Sequence, residues 1–164
     1  MQKQPTSRNE ILLVGQKIRT NNKTEASILT GKIYPCITSY FGNKLAEKIP
    51  NRKTPGTTFC VYTEYESDHT GEYTYFVGEE VHELNTLEKG LVSITIPAQK
   101  YAKFTTDPGP MPDVVRNAWF EIWKMSQDTL GGKRNFLADF EIYDERSNDP
   151  THQNIVLDVY IGIT

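Results

Sequence analysis

The stretch FEIYDE at residues 140–145 closely matches FCVYTE at residues 59–64. Both alternate apolar with polar or aromatic residues and lie among turn signals, which predicts a β-strand in each case. A second match follows each of them in the same order, since FVG at residues 76–78 corresponds to YIG at residues 160–162. Two matched segments in one order predict that the chain contains a structural module twice.

Working outward, each copy is predicted to contain a strand, a helix and two further strands. A helix that begins near Pro35 or is kinked there is expected around 30–45, and a second one, with Pro112 in its first turn, around 112–127. Gly131-Gly132 ends the second helical region. The predicted strands of the two copies cover residues 10–18, 58–66 and 72–81, then 91–96 with 100–105, 139–145 and 155–163.

The predicted fold class is therefore α+β, with an antiparallel sheet built from tandem strand–helix–strand–strand modules. Residues 10–164 are predicted to form a single domain, with one repeat at about 10–85 and the other at about 91–164. Residues 1–9 are polar and predict a disordered start. One copy alone could not cover both faces of its own sheet, whereas two copies can form a single shared sheet.

Composition restricts the function classes. The net charge is −3, and no block of Lys or Arg exceeds two residues, so we expect no direct nucleic-acid binding. No segment has the roughly 18 to 20 apolar residues that a membrane span needs, and no signal peptide is evident, so a cytoplasmic protein is predicted. Cys36 and Cys60 are then expected to stay reduced. Aromatic residues make up 11% of the chain, enough to line a ligand pocket as well as fill a core.

The overlay of the two copies isolates one acidic residue, because Glu141 stands where the first copy has Cys60. By strand alternation Glu141 and Tyr143 face one way, while Phe140 and Ile142 face the other. A carboxylate among apolar neighbours should have a raised pKa unless a cation pairs with it. Glu141 is predicted to be either the counter-charge of a cationic ligand or a general base. The alternative is a solvated, salt-bridged residue at the sheet edge.

Aromatic side chains are the other candidates for a ligand site. Trp119 and Trp123 lie four residues apart on the second helix, where one would form a pocket wall and the other pack in the core. Tyr143 shares the face of Glu141. Tyr40 would lie on the opposite wall, with its neighbour Phe41 in the core, and Tyr75 is a further lining candidate.

No metal or cofactor is predicted. His69, His82 and His152 lack the spacing of metal ligands, and neither a GxSxG motif nor a glycine-rich phosphate loop is present.

The sequence resembles the GyrI-like family, the small-molecule-binding, effector-binding domains of AraC-type regulators such as Rob and of the multidrug sensor BmrR. The resemblance rests on Trp119 and on the segments GEYTYFVGEEV (71–81), IPAQKYAKFT (96–105), DFEIYD (139–144) and DVYIGI (158–163). It implies a duplicated architecture with a ligand cleft between the halves and a glutamate, here Glu141, in that cleft. It also implies binding of hydrophobic, often cationic or planar compounds. The regulators carry a helix-turn-helix segment outside this domain, for which no residues remain here, so a stand-alone domain is expected.

The predicted function is the capture of a hydrophobic or cationic small molecule, for effector sensing or drug sequestration. Two alternatives stay open because similar proteins have them. One is a hydrolase of strained or electrophilic, cyclopropane-bearing compounds, with Glu141 as the base and Tyr143 as its helper. The other is a protein-binding inhibitor of DNA gyrase type, for which gyrase or a regulator would be the partner.

Overall fold

The computed structural model describes all residues from Met1 to Thr164. Eight strands form one sheet in the order β1-β6-β8-β7-β3-β4-β2-β5, and every neighbouring pair is antiparallel. This order is symmetric about the central pair β7–β3, as two copies of one module would give. The strands are β1 (Gln2–Arg8), β2 (Ile11–Thr20), β3 (Thr58–Thr63), β4 (Tyr73–Glu80), β5 (Val92–Ile96), β6 (Gln99–Thr105), β7 (Ala138–Tyr143) and β8 (Asp158–Ile163).

Four helices connect the strands: α1 (Asn22–Glu25), α2 (Ile33–Gly42), α3 (Asp113–Trp123) and α4 (Gln127–Leu130). Pro35 lies in the first turn of α2, where its missing N–H has no intrahelical partner to lose. The predicted helix at 112–127 is divided, because Ser126 is extended and its side chain caps α4 by accepting from the Thr129 N–H. Gly131 ends α4 in the left-handed conformation, with φ of 86°. None of these helices has the length and apolarity needed to span a bilayer.

The two longer helices lie on one face of the sheet, one over each half. Cys36 and Tyr40 of α2 pack on strands of the first half in one buried cluster. Ala118, Trp119 and Ile122 of α3 pack on β6 and β8 in another. Glu141 lies on β7, at the border between these two clusters. The chain is thus an α+β fold with α2 over one half of the sheet, α3 over the other, and Glu141 between them.

The opposite face carries no helix, yet its side chains are buried. Its core consists of strand residues, with Phe59, Phe76, Tyr101, Phe140 and Tyr160 as its large aromatic members. Connections of only two residues join β1 to β2 and β5 to β6, although these strands belong to opposite ends of the sheet order. Such short links reach about 10 Å, so the sheet must curl until its ends approach, and this curl encloses the helix-free core.

Two sequence predictions differ from the structure. The predicted disorder of residues 1–9 is wrong, because β1 pairs with β6 along its whole length, from Gln2 opposite Thr105 to Arg8 opposite Gln99. A polar strand can still pair at an edge, since its backbone groups bond to the neighbouring strand while its side chains face water. The sequence also predicts that residues 91–96 belong to the second repeat, but strand β5 (Val92–Ile96) pairs with β2 and completes the first half of the sheet.

Candidate functional site

The candidate site is built around Glu141 in the middle of β7. Its neighbours Phe140 and Ile142 belong to the helix-free core, so alternation turns Glu141 toward the helix layer. The side chain lies where the two halves meet, and the residue is only 3% exposed. The structure therefore orients Glu141 as the alternation predicted and buries it, which rules out the alternative of a solvated residue at the sheet edge.

Three neutral donors hold the Glu141 carboxylate. The indole Nε1 of Trp119 donates to Oε1 at 2.7 Å, and the hydroxyl of Tyr62 donates to the same oxygen at 3.2 Å. The hydroxyl of Tyr143 donates to Oε2 at 2.8 Å. They come from three different elements, α3, β3 and β7. The carboxylate is thus hydrogen-bonded on both oxygens without a positive charge beside it.

Burial dominates the electrostatics of this group. Loss of water raises the pKa of Glu141 above its ordinary value of 4.5, and the hydrogen bonds from Trp119, Tyr143 and Tyr62 lower it in part. Burial, together with the neighbouring carboxylate, also raises the pKa of Tyr62 and of Tyr143 well above 10. Both phenols therefore remain protonated donors at neutral pH.

The other buried carboxylates of the chain all have basic partners. Glu79 is 3.4 Å from Arg52, Asp139 is 2.6 Å from Arg134, and Asp158 is 2.8 Å from Arg146. Among the four buried acidic residues, Glu141 alone lacks an ion pair. A buried charge is costly unless it is paired, and the charge of Glu141 is the one among these four that the chain leaves without a basic partner.

Aromatic rings surround the carboxylate. The ring of Tyr62 is central, with centroids 5.1 Å from Trp119, 5.3 Å from Tyr75 and 5.7 Å from Tyr73. Together they form an aromatic cage, which consists of Tyr62, Tyr73, Tyr75, Trp119 and Tyr143. The cage fills the predicted cleft between the halves and closes the Glu141 side chain from solvent. Two open cavities lie away from the cage: one of about 230 Å³ is lined by Arg8 and Phe59, and one of about 400 Å³ lies beside Met1 and the start of α3.

The structure assigns different environments to the two tryptophans. Trp119 is buried and contacts Glu141, whereas Trp123 is 52% exposed and stands against Trp119 with ring centroids 6.2 Å apart. Trp123 thus borders the outside of the cage and does not touch the carboxylate.

The tyrosine predictions give a mixed result. Tyr75 is buried within the cage. Tyr40 is also buried, in the core under α2, and its hydroxyl has no hydrogen-bond partner, so it does not reach Glu141. The expectation that Phe41 packs in the core is wrong, because Phe41 is 54% exposed. Their consecutive positions on α2 turn only one of these two rings toward the sheet.

Sequence reasoning missed Tyr62, although a signal for it was present. In the overlay of residues 59–64 on 140–145, Tyr62 aligns with Tyr143 just as Cys60 aligns with Glu141. The sheet register confirms that β3 and β7 are paired antiparallel, with Cys60 directly opposite Glu141. Tyr62 and Tyr143 therefore flank the carboxylate from the two halves. Elsewhere, no group of three or more His, Cys, Asp or Glu side chains converges as metal ligands would.

Comparison with known proteins agrees with this architecture. The family model described as Cass2, integron-associated effector binding protein, matches residues 6–163. A putative transcriptional regulator protein of Bacillus subtilis, YobU, is 34% identical over 104 residues, which are 63% of this chain. The match spans 62% of the length of that curated relative.

Solved structures share the fold over the full length. The integron cassette protein VCH_CASS2 from the mobile metagenome of Vibrio cholerae superposes with a TM-score of 0.77 at 25% identity, covering 99% of this chain and 95% of its own. The structure of SAV2435 bound to tetraphenylphosphonium has the same TM-score at 17% identity, covering 100% and 94%. The GyrI-like effector-binding fold expected from the sequence is thus confirmed, and the chain belongs to the Cass2 family of integron-associated effector binding proteins.

Proposed function

We propose that this chain binds hydrophobic cations and that the carboxylate of Glu141 neutralises their charge. The observation that carries the proposal is that Glu141 alone, among the buried carboxylates, has no basic partner. A buried ion without a partner costs several kcal/mol in desolvation. A ligand cation that enters the site supplies the missing charge, so it is bound more tightly than a neutral molecule of the same shape.

The aromatic cage favours cations with apolar surroundings. The faces of Trp119, Tyr62, Tyr75 and Tyr143 offer apolar contact and a cation–π attraction of about 0.5 to 2 kcal/mol for each well-placed ring. Each oxygen of Glu141 accepts a hydrogen bond from a tyrosine of the sheet, so a cation without N–H donors can pair with the charge and leave the bonds from Tyr62 and Tyr143 in place. Tetraphenylphosphonium, the ligand of the similar structure SAV2435, has this chemistry.

Entry of a ligand requires the cage to open. Trp119 closes the site from the side of α3, and the half-exposed Trp123 is its outer neighbour. Rotation of these two indoles, or a small shift of α3, would break the Trp119 hydrogen bond to Oε1 and expose Glu141, without breaking the central β3–β7 pairing. The captured ligand could then be sensed or sequestered.

The arrangement favours binding over the hydrolase alternative. A general base must accept a proton from water or substrate within hydrogen-bond reach. In this site the hydroxyls of Tyr62 and Tyr143 and the indole of Trp119 already donate to the Glu141 oxygens. Tyr143 donates to Glu141 itself and is not free to protonate a leaving group.

Tetraphenylphosphonium and tetraphenylborate provide the test, because they have nearly the same size and opposite charge. Calorimetric titration should show that the wild-type protein binds the cation and discriminates against the anion. Glu141→Gln should weaken cation binding by about 10- to 150-fold, the loss of a hydrogen bond or contact to a charged group. Glu47→Gln is the matched control, since Glu47 is exposed and its substitution removes the same net charge as Glu141→Gln does.

Two outcomes would contradict the proposal. If Glu47→Gln weakens binding as much as Glu141→Gln does, net charge and not the site is responsible. If Glu141→Gln binds the cation like wild type, the counter-charge role is wrong. Consumption of a cyclopropane-bearing electrophile that stops in Glu141→Gln would support the hydrolase alternative instead.

A further inference from the structure

Cys60 lies directly opposite Glu141 in the β3–β7 pair. Residues that are paired in this way have Cβ atoms about 4.5 to 5.5 Å apart and project from the same face of the sheet. Cys60 is buried and packs with Cys36 and Tyr40 of α2, on the helix side to which Glu141 also turns. The first half of the sheet thus places a thiol where the second half places a carboxylate.

The remaining groups that face this pair are neutral. The pKa of the Cys60 thiol is raised by burial first and by the Glu141 charge second. Burial raises the pKa of Cys36 to about 11 and that of Tyr75 well above 10. On the same side of the first half, the buried carboxylate of Glu79 is already paired with Arg52. The cage therefore presents one unpaired negative charge.

We propose that Cys60 sets the charge selectivity of the cage, so that the site accepts singly charged cations and rejects doubly charged cations of the same shape. This inference rests on the proposed function, in which Glu141 neutralises a bound cation. The physical reason is that a second positive charge would be buried beside an uncharged thiol. A carboxylate at position 60 would remove that penalty, because its Cβ atom would lie about 5 Å from the Cβ atom of Glu141 and the two side chains project from the same face.

Two biaryl cations of almost equal shape test the selectivity. N-methyl-4-phenylpyridinium carries one charge, and N,N′-dimethyl-4,4′-bipyridinium carries two. Calorimetric titration of the wild-type protein should show at least about tenfold tighter binding of the single charge, as expected when an uncompensated charge must be buried. Cys60→Asp should shift this ratio toward the double charge by at least about tenfold relative to Cys60→Asn, which has the same shape without the charge.

Proton release gives an independent readout. Two adjacent buried carboxylates cannot both ionise easily and would share a proton in the ligand-free Cys60→Asp protein. Binding of the doubly charged probe should then release that proton, detected by repeating the titration in buffers of different ionisation enthalpy. Cys60→Asn has no second carboxylate and should show no such additional release.

The outcomes separate this inference from the function on which it rests. If the wild-type protein binds the singly charged probe and tetraphenylphosphonium, but binds the doubly charged probe equally well, the role of Cys60 is overturned while cation binding stands. If it binds none of the cations, the proposed function fails. Should Cys60→Asp not fold, the double variant Cys60→Asp/Glu141→Gln, with one buried carboxylate as in wild type, should still bind the singly charged probe. A folded double variant without that binding would show that position 60 does not face the ligand.

Discussion

Asp139 and Glu141 lie two residues apart on β7, and strand alternation turns both toward the same face of the sheet. Both are buried, at 0% and 3% exposure, and each carboxylate accepts three hydrogen bonds. Asp139 accepts from Arg134 at 2.6 Å and from Tyr65 at 2.8 Å on Oδ2, and from the Gly162 N–H at 2.8 Å on Oδ1. Glu141 has three neutral donors and no arginine.

This difference separates a carboxylate that is neutralised within the chain from the one proposed to bind a ligand cation. The charge of Asp139 is neutralised within the chain, so the residue ties the segment before β7 to β8 and has no charge left for a ligand. The charge of Glu141 is stabilised by hydrogen bonds but left without a counter-ion. Burial and the number of hydrogen bonds are therefore alike at the two carboxylates, and the missing positive charge is the feature on which the proposed role of Glu141 depends.

The largest expected effect is on stability when Asp139 is changed. Asp139→Asn must turn its NH₂ group toward either the Gly162 N–H or the Arg134 and Tyr65 donors, so two donors face each other in either rotamer. The partly buried Arg134 also loses its partner, and the expected loss is about 3 to 5 kcal/mol in the free energy of unfolding. Urea denaturation of the ligand-free protein measures it. A loss below about 1 kcal/mol would mean that Asp139 does not hold the segment before β7 to β8.

A smaller effect of opposite sign is expected for the stability of Glu141→Gln. The glutamine oxygen can accept from Trp119 and Tyr62, while its NH₂ group donates to the hydroxyl oxygen of Tyr143, so every polar group keeps a partner. Each unit by which burial raises the pKa of Glu141 corresponds to about 1.4 kcal/mol. The ligand-free variant should therefore be as stable as wild type or more stable near neutral pH.

The pH dependence follows from the sign of the shift. Because the folded pKa of Glu141 lies above its ordinary value of 4.5, the folded protein binds this proton more tightly than the unfolded chain does. The contribution to stability is fully present below pH 4.5 and is lost as the pH rises through the folded pKa. The difference in melting temperature between Glu141→Gln and wild type should grow over that interval. A difference that does not change with pH would exclude a raised pKa for Glu141.

The smallest expected effects distinguish the two flanking tyrosines. Tyr143 donates at 2.8 Å and Tyr62 at 3.2 Å, so loss of the shorter bond should raise the pKa of Glu141 more. Each is a hydrogen bond to a charged group and contributes about 1.5 to 3 kcal/mol, so the difference between the two is smaller than either contribution. The midpoint of the pH dependence of tetraphenylphosphonium binding should move upward in Tyr143→Phe, and less in Tyr62→Phe. Equal shifts, or shifts downward, would contradict the geometry.

Much of the fold was predictable because it depends on local patterns. Matched segments at 59–64 and 140–145 identified the duplication, and period-two alternation gave the strands and the direction of Glu141. The predictions that failed lacked such a pattern. Residues 2–8 are polar, and their pairing with β6 depends on a partner about a hundred residues away. Tyr40 and Phe41 are adjacent on α2 and point in different directions, and only the packing of α2 on the sheet decides which of them is buried.

The amino-acid sequence alone determined the α+β class, the position of Glu141 within an apolar strand and its orientation away from Phe140 and Ile142. Those properties follow from the period of a strand, which every chain segment carries in its own residues. Long-range packing determined which side chains surround the carboxylate. Trp119 lies on a helix 22 residues before Glu141 in the sequence, and Tyr62 lies on a strand 79 residues before it. Arg134 pairs with Asp139, so Glu141 has no cation beside it. Such partners are set by sheet register and helix docking, because contacts between distant segments leave no periodic signal in either one.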